Sequence, residues 1–194
     1  MHATPQRQGG RPAGRLARNP IAAARGFTLV ELLVTLAVIA VLTVIAVPSF
    51  KTITLSNRLS TAADGVVAAI QTARLEAIKR NADAQFCSNS SSNNGSSTLG
   101  SACASQGGAV YAGTAASKVR DAVTGIDAPI KYNGSMVALR FTAQGQGYKV
   151  GQTTPYNGVV ADICTSSLSS DNHRVISMVT GSVITTSKTS TSCP

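Results

Sequence analysis

The sequence predicts an α+β protein in which a long N-terminal α-helix, kinked at Pro48, packs on an antiparallel β-sheet C-terminal domain. Three observations predict it. A 21-residue apolar run, Phe27 to Val47, follows a basic stretch. Apolar residues then recur at helical spacing from Ile53 to Ile78. Beyond residue 81 the pattern changes to short apolar runs separated by Gly, Asn and Ser turns, and all four cysteines lie there. A chain of 194 residues accommodates one membrane segment and one domain of about 100–150 residues.

The basic stretch sets the charge. Arg7, Arg11, Arg15, Arg18 and Arg25 precede the apolar run, with no acid among them, in a chain of net charge +9. From Phe27 onward twelve Lys and Arg face eight Asp and Glu, a net of only +4. The overall basicity is therefore no nucleic-acid signature. Residues 1–25, rich in Arg, Gly, Pro and Ala and without apolar periodicity, predict a disordered cytoplasmic segment.

Phe27 to Val47 is long enough to cross a hydrocarbon core of about 30 Å as a helix. The preceding arginines predict a cytoplasmic N-terminus and an external C-terminal domain. Glu31 is the only charge in the run. A carboxylate costs about 2.5–3.5 kcal/mol near a helix centre in the membrane, and less near an end. A cleaved signal peptide fits poorly, because Ala46-Val47-Pro48-Ser49 is a weak small-x-small site and the apolar run is long. An ordinary anchor accounts for everything except Glu31. Thr28, Thr35 and Thr43 need no special role, since threonine can bond back to the helix backbone.

Gly26-Phe27-Thr28-Leu29-Val30-Glu31 resembles the processing site of type IV pilins and type II secretion pseudopilins, a glycine followed by FTLxE. In that family a membrane-embedded aspartic peptidase, the prepilin peptidase, cuts after the glycine on the cytoplasmic side, and the new N-terminal phenylalanine is methylated. The resemblance implies cleavage between Gly26 and Phe27 and N-methylation of Phe27, leaving 168 mature residues. A leader of 26 residues is long for such a chain, with a start downstream of Met1 as the alternative; either leaves the cleavage site in place. Glu31 then acquires an assembly role. Paired with the Phe27 amine of a neighbouring subunit, it relieves two charges that are each costly in a dry helical core. The plainer alternative is a helix-end glutamate snorkelling to the headgroups.

Pro48 lacks an N–H and kinks a helix that contains it. After it, Ile53, Leu55, Leu59, Ala62, Ala63, Val66, Val67, Ile70, Ala73, Ala77 and Ile78 mark one apolar stripe, with Lys51, Arg58, Asp64, Arg74 and Lys79 between them. One helix from Phe27 to about Lys79 would span about 80 Å, its upper half laid on a sheet; two separate helices are the other reading. "ARLEAIKRN" (73–81) resembles the segment closing the long helix in the FimT, FimU and GspH group of minor pilins. Glu76 and Arg80 there are spaced to pair. Asp64 and Glu76 have neither a partner base nor metal spacing. The predicted organisation is a cleaved leader (1–26), a transmembrane and filament-core helix (27–47), its amphipathic extension (48–80) and a globular β-rich periplasmic or extracellular domain (81–194).

In that domain Cys87 to Cys103 encloses a Ser/Asn/Gly-rich stretch that predicts a surface loop. "AVYA" (109–112), "IKY" (130–132), "MVALRFT" (136–142), "VVADIC" (159–164) and "RVISMV" (174–179) predict antiparallel strands, with Asn133-Gly134 as a tight turn. "FTAQG" (141–145) and the run from Ile163 to Val183 also resemble the GspH/FimT domain. An external compartment permits disulfides. Four cysteines allow three pairings. Cys87–Cys103 would close the Ser/Asn loop and Cys164–Cys193 would tie down the polar tail, each adding about 3–4 kcal/mol by loop-closure entropy. A metal site is not predicted: there is no CxxC, and only His173 is near. A Cys164–His173 dyad lacks any supporting motif.

The resemblance implies a structural filament protein, a FimT/FimU-like minor pilin in a tip or priming complex of a type IV pilus. The alternative is a GspH-like minor pseudopilin of a type II secretion system; the Ser-Cys-Pro tail and the position of Cys164 lean toward the former. The implied partners are the prepilin peptidase, other major and minor pilins and the inner membrane, which a single pass crosses before the subunit enters a filament. A third reading is DNA binding during natural transformation. Some FimT proteins use a C-terminal Gly-Arg motif with a second arginine two residues on; here the place reads Gly181-Ser182-Val183-Ile184. Arg174 and Lys188 leave a weak phosphate footprint, and stacking aromatics are few. No P-loop, GxSxG or metal cluster is present, so neither an enzyme nor a cofactor is predicted.

Overall fold

The computed structural model describes residues 26–194. They fall into two compact units, one extending through Thr43 and one from Val44 to Pro194. Helix α1 (Leu29–Arg80) is a single 52-residue element that runs through Pro48. The two-helix reading therefore falls.

The ends of α1 follow from its sequence. Thr28 caps the start: its Oγ1 accepts a hydrogen bond from the Glu31 amide at 3.2 Å. Glu31 in the first turn, and Lys79 and Arg80 in the last, complement the helix dipole. Asn81, in the left-handed region at φ 48°, ends the helix. The Asn81 amide donates to the Ile78 carbonyl and the Ala82 amide to that of Ala77, the paired bonds of a Schellman terminus. Thr35 and Thr43 bond back to the Leu32 and Ala40 carbonyls. Thr28 does not; it has the capping role that the sequence reading missed.

In the first unit Leu32, Leu33, Val34, Leu36, Val38, Ile39 and Val41 are all more than half exposed. By length and composition α1 can cross a membrane.

The second unit adds nine strands: β1 (Ala84–Phe86), β2 (Val110–Ala112), β3 (Ser117–Arg120), β4 (Ile130–Tyr132), β5 (Leu139–Phe141), β6 (Gly147–Lys149), β7 (Gly158–Thr165), β8 (His173–Val179) and β9 (Val183–Thr189). They form two sheets, ordered β3-β2-β1-β5-β6 and β4-β7-β8-β9, with every pairing antiparallel. Leu59, Ala62, Ala63, Val66, Ala69, Ile70, Ala73 and Ala77 bury the α1 stripe against Phe86, Val110, Leu139 and Phe141 of one sheet and Ile130, Ile163, Ile176 and Met178 of the other. Alanine at so many stripe positions lets the helix approach closely. Ile53 and Ile78, predicted for the stripe, are 57% and 48% exposed.

Asn133-Gly134 makes a turn, with Gly134 at φ 83°, but it does not close a hairpin. It carries the chain from β4 in one sheet to β5 in the other. Short hairpins join β2 to β3, β5 to β6 and β8 to β9; in the last, Thr180 and Gly181 both have positive φ and the Ser182 amide donates to the Val179 carbonyl.

The Cys87–Cys103 stretch is ordered from within. It contains a 3-10 turn (Ser91–Asn93) and a short helix α2 (Thr98–Cys103) capped by Ser97. Asn94 is fully buried at its centre. Its Oδ1 accepts from the Ser88 amide, and its Nδ2 donates to the carbonyls of Ser88, Ser90 and Ala104. A low-complexity composition thus hides a single organising side chain.

Candidate functional site

Gly26, Phe27 and Thr28 lie just ahead of α1 without helical structure, and all three are exposed. A Cβ placed on Gly26 would meet nothing within 4 Å, and Phe27 is 84% exposed. One turn later the chain reaches Glu31, on the exposed surface of an apolar helix. The ion pairs among the described residues are Lys79–Glu76, Arg80–Glu76, Lys118–Asp121, Arg140–Asp83 and His173–Asp162, and Glu31 belongs to none of them. An exposed Gly-Phe junction, a capped helix start and a carboxylate without an ion pair among the described residues thus sit within six residues.

Arg174 does not offer the phosphate contact considered from sequence. It is 1% exposed. Its Nε and Nη2 donate to Ser60 and Ser56 of α1, and its Nη1 to the carbonyls of Asp171 and His173. Burial lowers its pKa from the ordinary arginine value, with Asp171 opposing. Arg174 is therefore a structural tie between β8 and α1. Its ladder partner Lys188 is exposed, so of the two candidate cations only Lys188 faces solvent. Arg174→Ala leaves Ser56, Ser60 and two carbonyls unsatisfied around a void, at a cost of about 2–3 kcal/mol. Thermal unfolding should show this loss, and duplex-DNA retention should not change.

Arg74 is a second tie, which sequence reasoning passed over as a charge between apolar positions. Its Nη2 donates to the carbonyls of Gly181 and Ser182 in the β8–β9 turn, and its guanidinium lies 5.5 Å from the Phe141 ring centroid. The signal in the sequence was its place beside Ala73 in the stripe. Glu76 pairs with Arg80 at 2.7 Å and Lys79 at 3.4 Å. The hydrogen bond from Arg80, above all, lowers its pKa. The small stabilisation this gives is present above the ordinary carboxylate range and is lost as pH falls through the lowered value.

Disulfides join Cys87 to Cys103 and Cys164 to Cys193, with Cα separations of 5.5 and 5.8 Å. The second returns the C-terminal tail to β7. Asn172 holds the same tail through two bonds to the Thr191 backbone, and Ser190 Oγ accepts from the Asp171 amide. His173 is fully buried beside this attachment, its Nδ1 2.9 Å from Asp162. Its opposite residue Cys164 is locked in a disulfide, so the two form no nucleophile–base pair. No group of His, Cys, Asp and Glu among the described residues has metal-site geometry.

Two family models match the chain. One, described as type II transport protein GspH, matches residues 62–182. The other, described as a prokaryotic N-terminal methylation motif, matches residues 21–47. The first runs from Ala62 in the buried stripe of α1 through the β8–β9 turn; the second contains Gly26, Phe27 and Glu31. No curated protein and no solved structure matches.

Proposed function

The chain belongs to the GspH family of pilin-like proteins, and from that premise we propose that it is a minor pilin of FimT/FimU type, acting in the tip or priming complex of a type IV pilus. It is a pilin-type subunit anchored by its apolar N-terminal helix, and such families are structural. The prepilin peptidase cuts between Gly26 and Phe27, and the freed Phe27 amine is methylated. The mature subunit waits in the inner membrane as a single-pass protein with residues 81–194 outside. It enters the filament when its Glu31 meets the Phe27 amine of a neighbouring subunit. The observation that carries this reading is the Glu31 carboxylate, without an ion pair among the described residues, one turn beyond an exposed Gly26–Phe27 junction at the head of an exposed apolar helix.

A second reading, a minor pseudopilin of a type II secretion system, is favoured by the description of the matching family. The two share fold and processing. Deleting the gene separates them when sheared surface pilin and motility are measured alongside secreted enzyme activity. Loss of pili with secretion intact is the result our reading predicts. Loss of secretion with pili intact would establish the pseudopilin role.

A further inference from the structure

The chain contains three Asn-Gly pairs, Asn94-Gly95, Asn133-Gly134 and Asn157-Gly158. In such a pair the glycine nitrogen can attack the asparagine side-chain carbonyl carbon. Ammonia leaves and a five-membered succinimide forms; water then opens the ring to aspartate or isoaspartate. The reaction needs only water. It also needs a side chain free to turn toward a backbone amide that is not otherwise engaged.

The fold treats the three pairs differently. Asn94 is fully buried, and its amide group is held by one donor and three acceptors. Gly158 is the first residue of β7 and pairs with Met178 of β8, which fixes its backbone in the ladder. Asn133 and Gly134 sit together in an exposed bend. Among the described residues the Gly134 amide donates no hydrogen bond, and a Cβ at Gly134 would meet nothing within 4 Å. The Asn133 side chain is held at one point only, by donation from Nδ2 to Asp162 Oδ2 at 2.7 Å. We propose that Asn133 is a site of spontaneous deamidation in the folded protein, and that its product sets a second carboxylate against Asp162. The modification removes the donor that Asp162 uses and replaces it with a like charge. Asp162 also receives His173 Nδ1, so the change falls on a network joining the sheet-crossover turn to the buried β8 histidine.

The test uses the full chain in detergent, incubated at mildly alkaline pH and sampled by tryptic peptide mass analysis. Cleavage after Lys131 and Arg140 isolates the peptide Tyr132–Arg140, which carries only this Asn-Gly pair. The expected result is that this peptide takes on the mass of aspartate, as separate aspartate and isoaspartate forms, several-fold faster than the peptides bearing Asn94 and Asn157. In denaturant the three rates should converge. Equal rates in the folded chain, or a slower Asn133, would overturn the proposal. The consequence is read separately: Asn133→Asp should unfold at a lower temperature than Asn133→Ser, which loses the same hydrogen bond without adding a charge. Equal midpoints would remove the claim about Asp162.

Discussion

Glu31→Ala should leave cleavage after Gly26 intact and reduce incorporation into filaments by roughly two orders of magnitude. The estimate comes from the cost of stranding one member of a buried ion pair, at least about 3 kcal/mol, which is roughly a hundredfold in an equilibrium. On the proposed pairing, the partner left behind in the mutant would be the Phe27 amine of a neighbouring subunit, stranded in an apolar helical core. Cleavage is expected to persist in the mutant because Gly26 and Phe27 lie in an exposed segment ahead of the helix. Two quantities are measured together: the ratio of processed to unprocessed chain in the membrane, and the amount of subunit in sheared filaments. Normal incorporation of the mutant would contradict the pairing. Loss of processing would move the role of Glu31 to peptidase recognition.

Cys164→Ser should destabilise the β-rich domain by about 3.5 kcal/mol, the loop-closure entropy returned to the unfolded chain when a bridge spanning 29 residues is lost. For a chain of this size that lowers the thermal midpoint by about 10 °C. The loss should also appear locally. With the bridge gone, residues 190–194 keep the bonds to Asp171 and Asn172, and hydrogen exchange should rise there and in β9 before it rises in β1 or β5. The Cys87–Cys103 bridge closes only 16 residues around a segment already organised by Asn94, so its loss should cost less, about 3 kcal/mol. A Cys164→Ser protein with an unchanged midpoint would show that packing of the tail, and not the bridge, holds it.

Much of this was legible in the sequence because the signals are periodic or local. The apolar run and the stripe from Leu59 to Ala77 specify α1 directly, and the runs at 109–112, 130–132, 159–164 and 174–179 mark strands. The weaker elements were not legible. β1 carries Gln85 at its centre, and β9 reads Val-Ile-Thr-Thr-Ser-Lys-Thr, polar because it is an edge strand exposed along nearly its whole length. The crossover at Asn133-Gly134 carries a hairpin's residues without a hairpin, because which sheet a strand joins is decided by long-range packing that local turn chemistry does not encode. The burial of Arg174 was invisible for the same reason, and the stripe position of Arg74 signalled packing without showing which turn it reaches. A guanidinium reads as surface charge until the hydroxyls and carbonyls that receive it are brought in from distant parts of the chain.

The central claim is that the Gly26–Phe27 junction is the processed end of a filament subunit. Its most direct test is the N-terminal peptide of the protein isolated from cells that contain the prepilin peptidase. Trypsin cleaves after Arg25 and Lys51, so an unprocessed chain yields a peptide beginning at Gly26. The account predicts instead a peptide from Phe27 to Lys51 with one methyl group on its terminal nitrogen. A peptide beginning at Gly26, or a mature end beyond Val47, would contradict it.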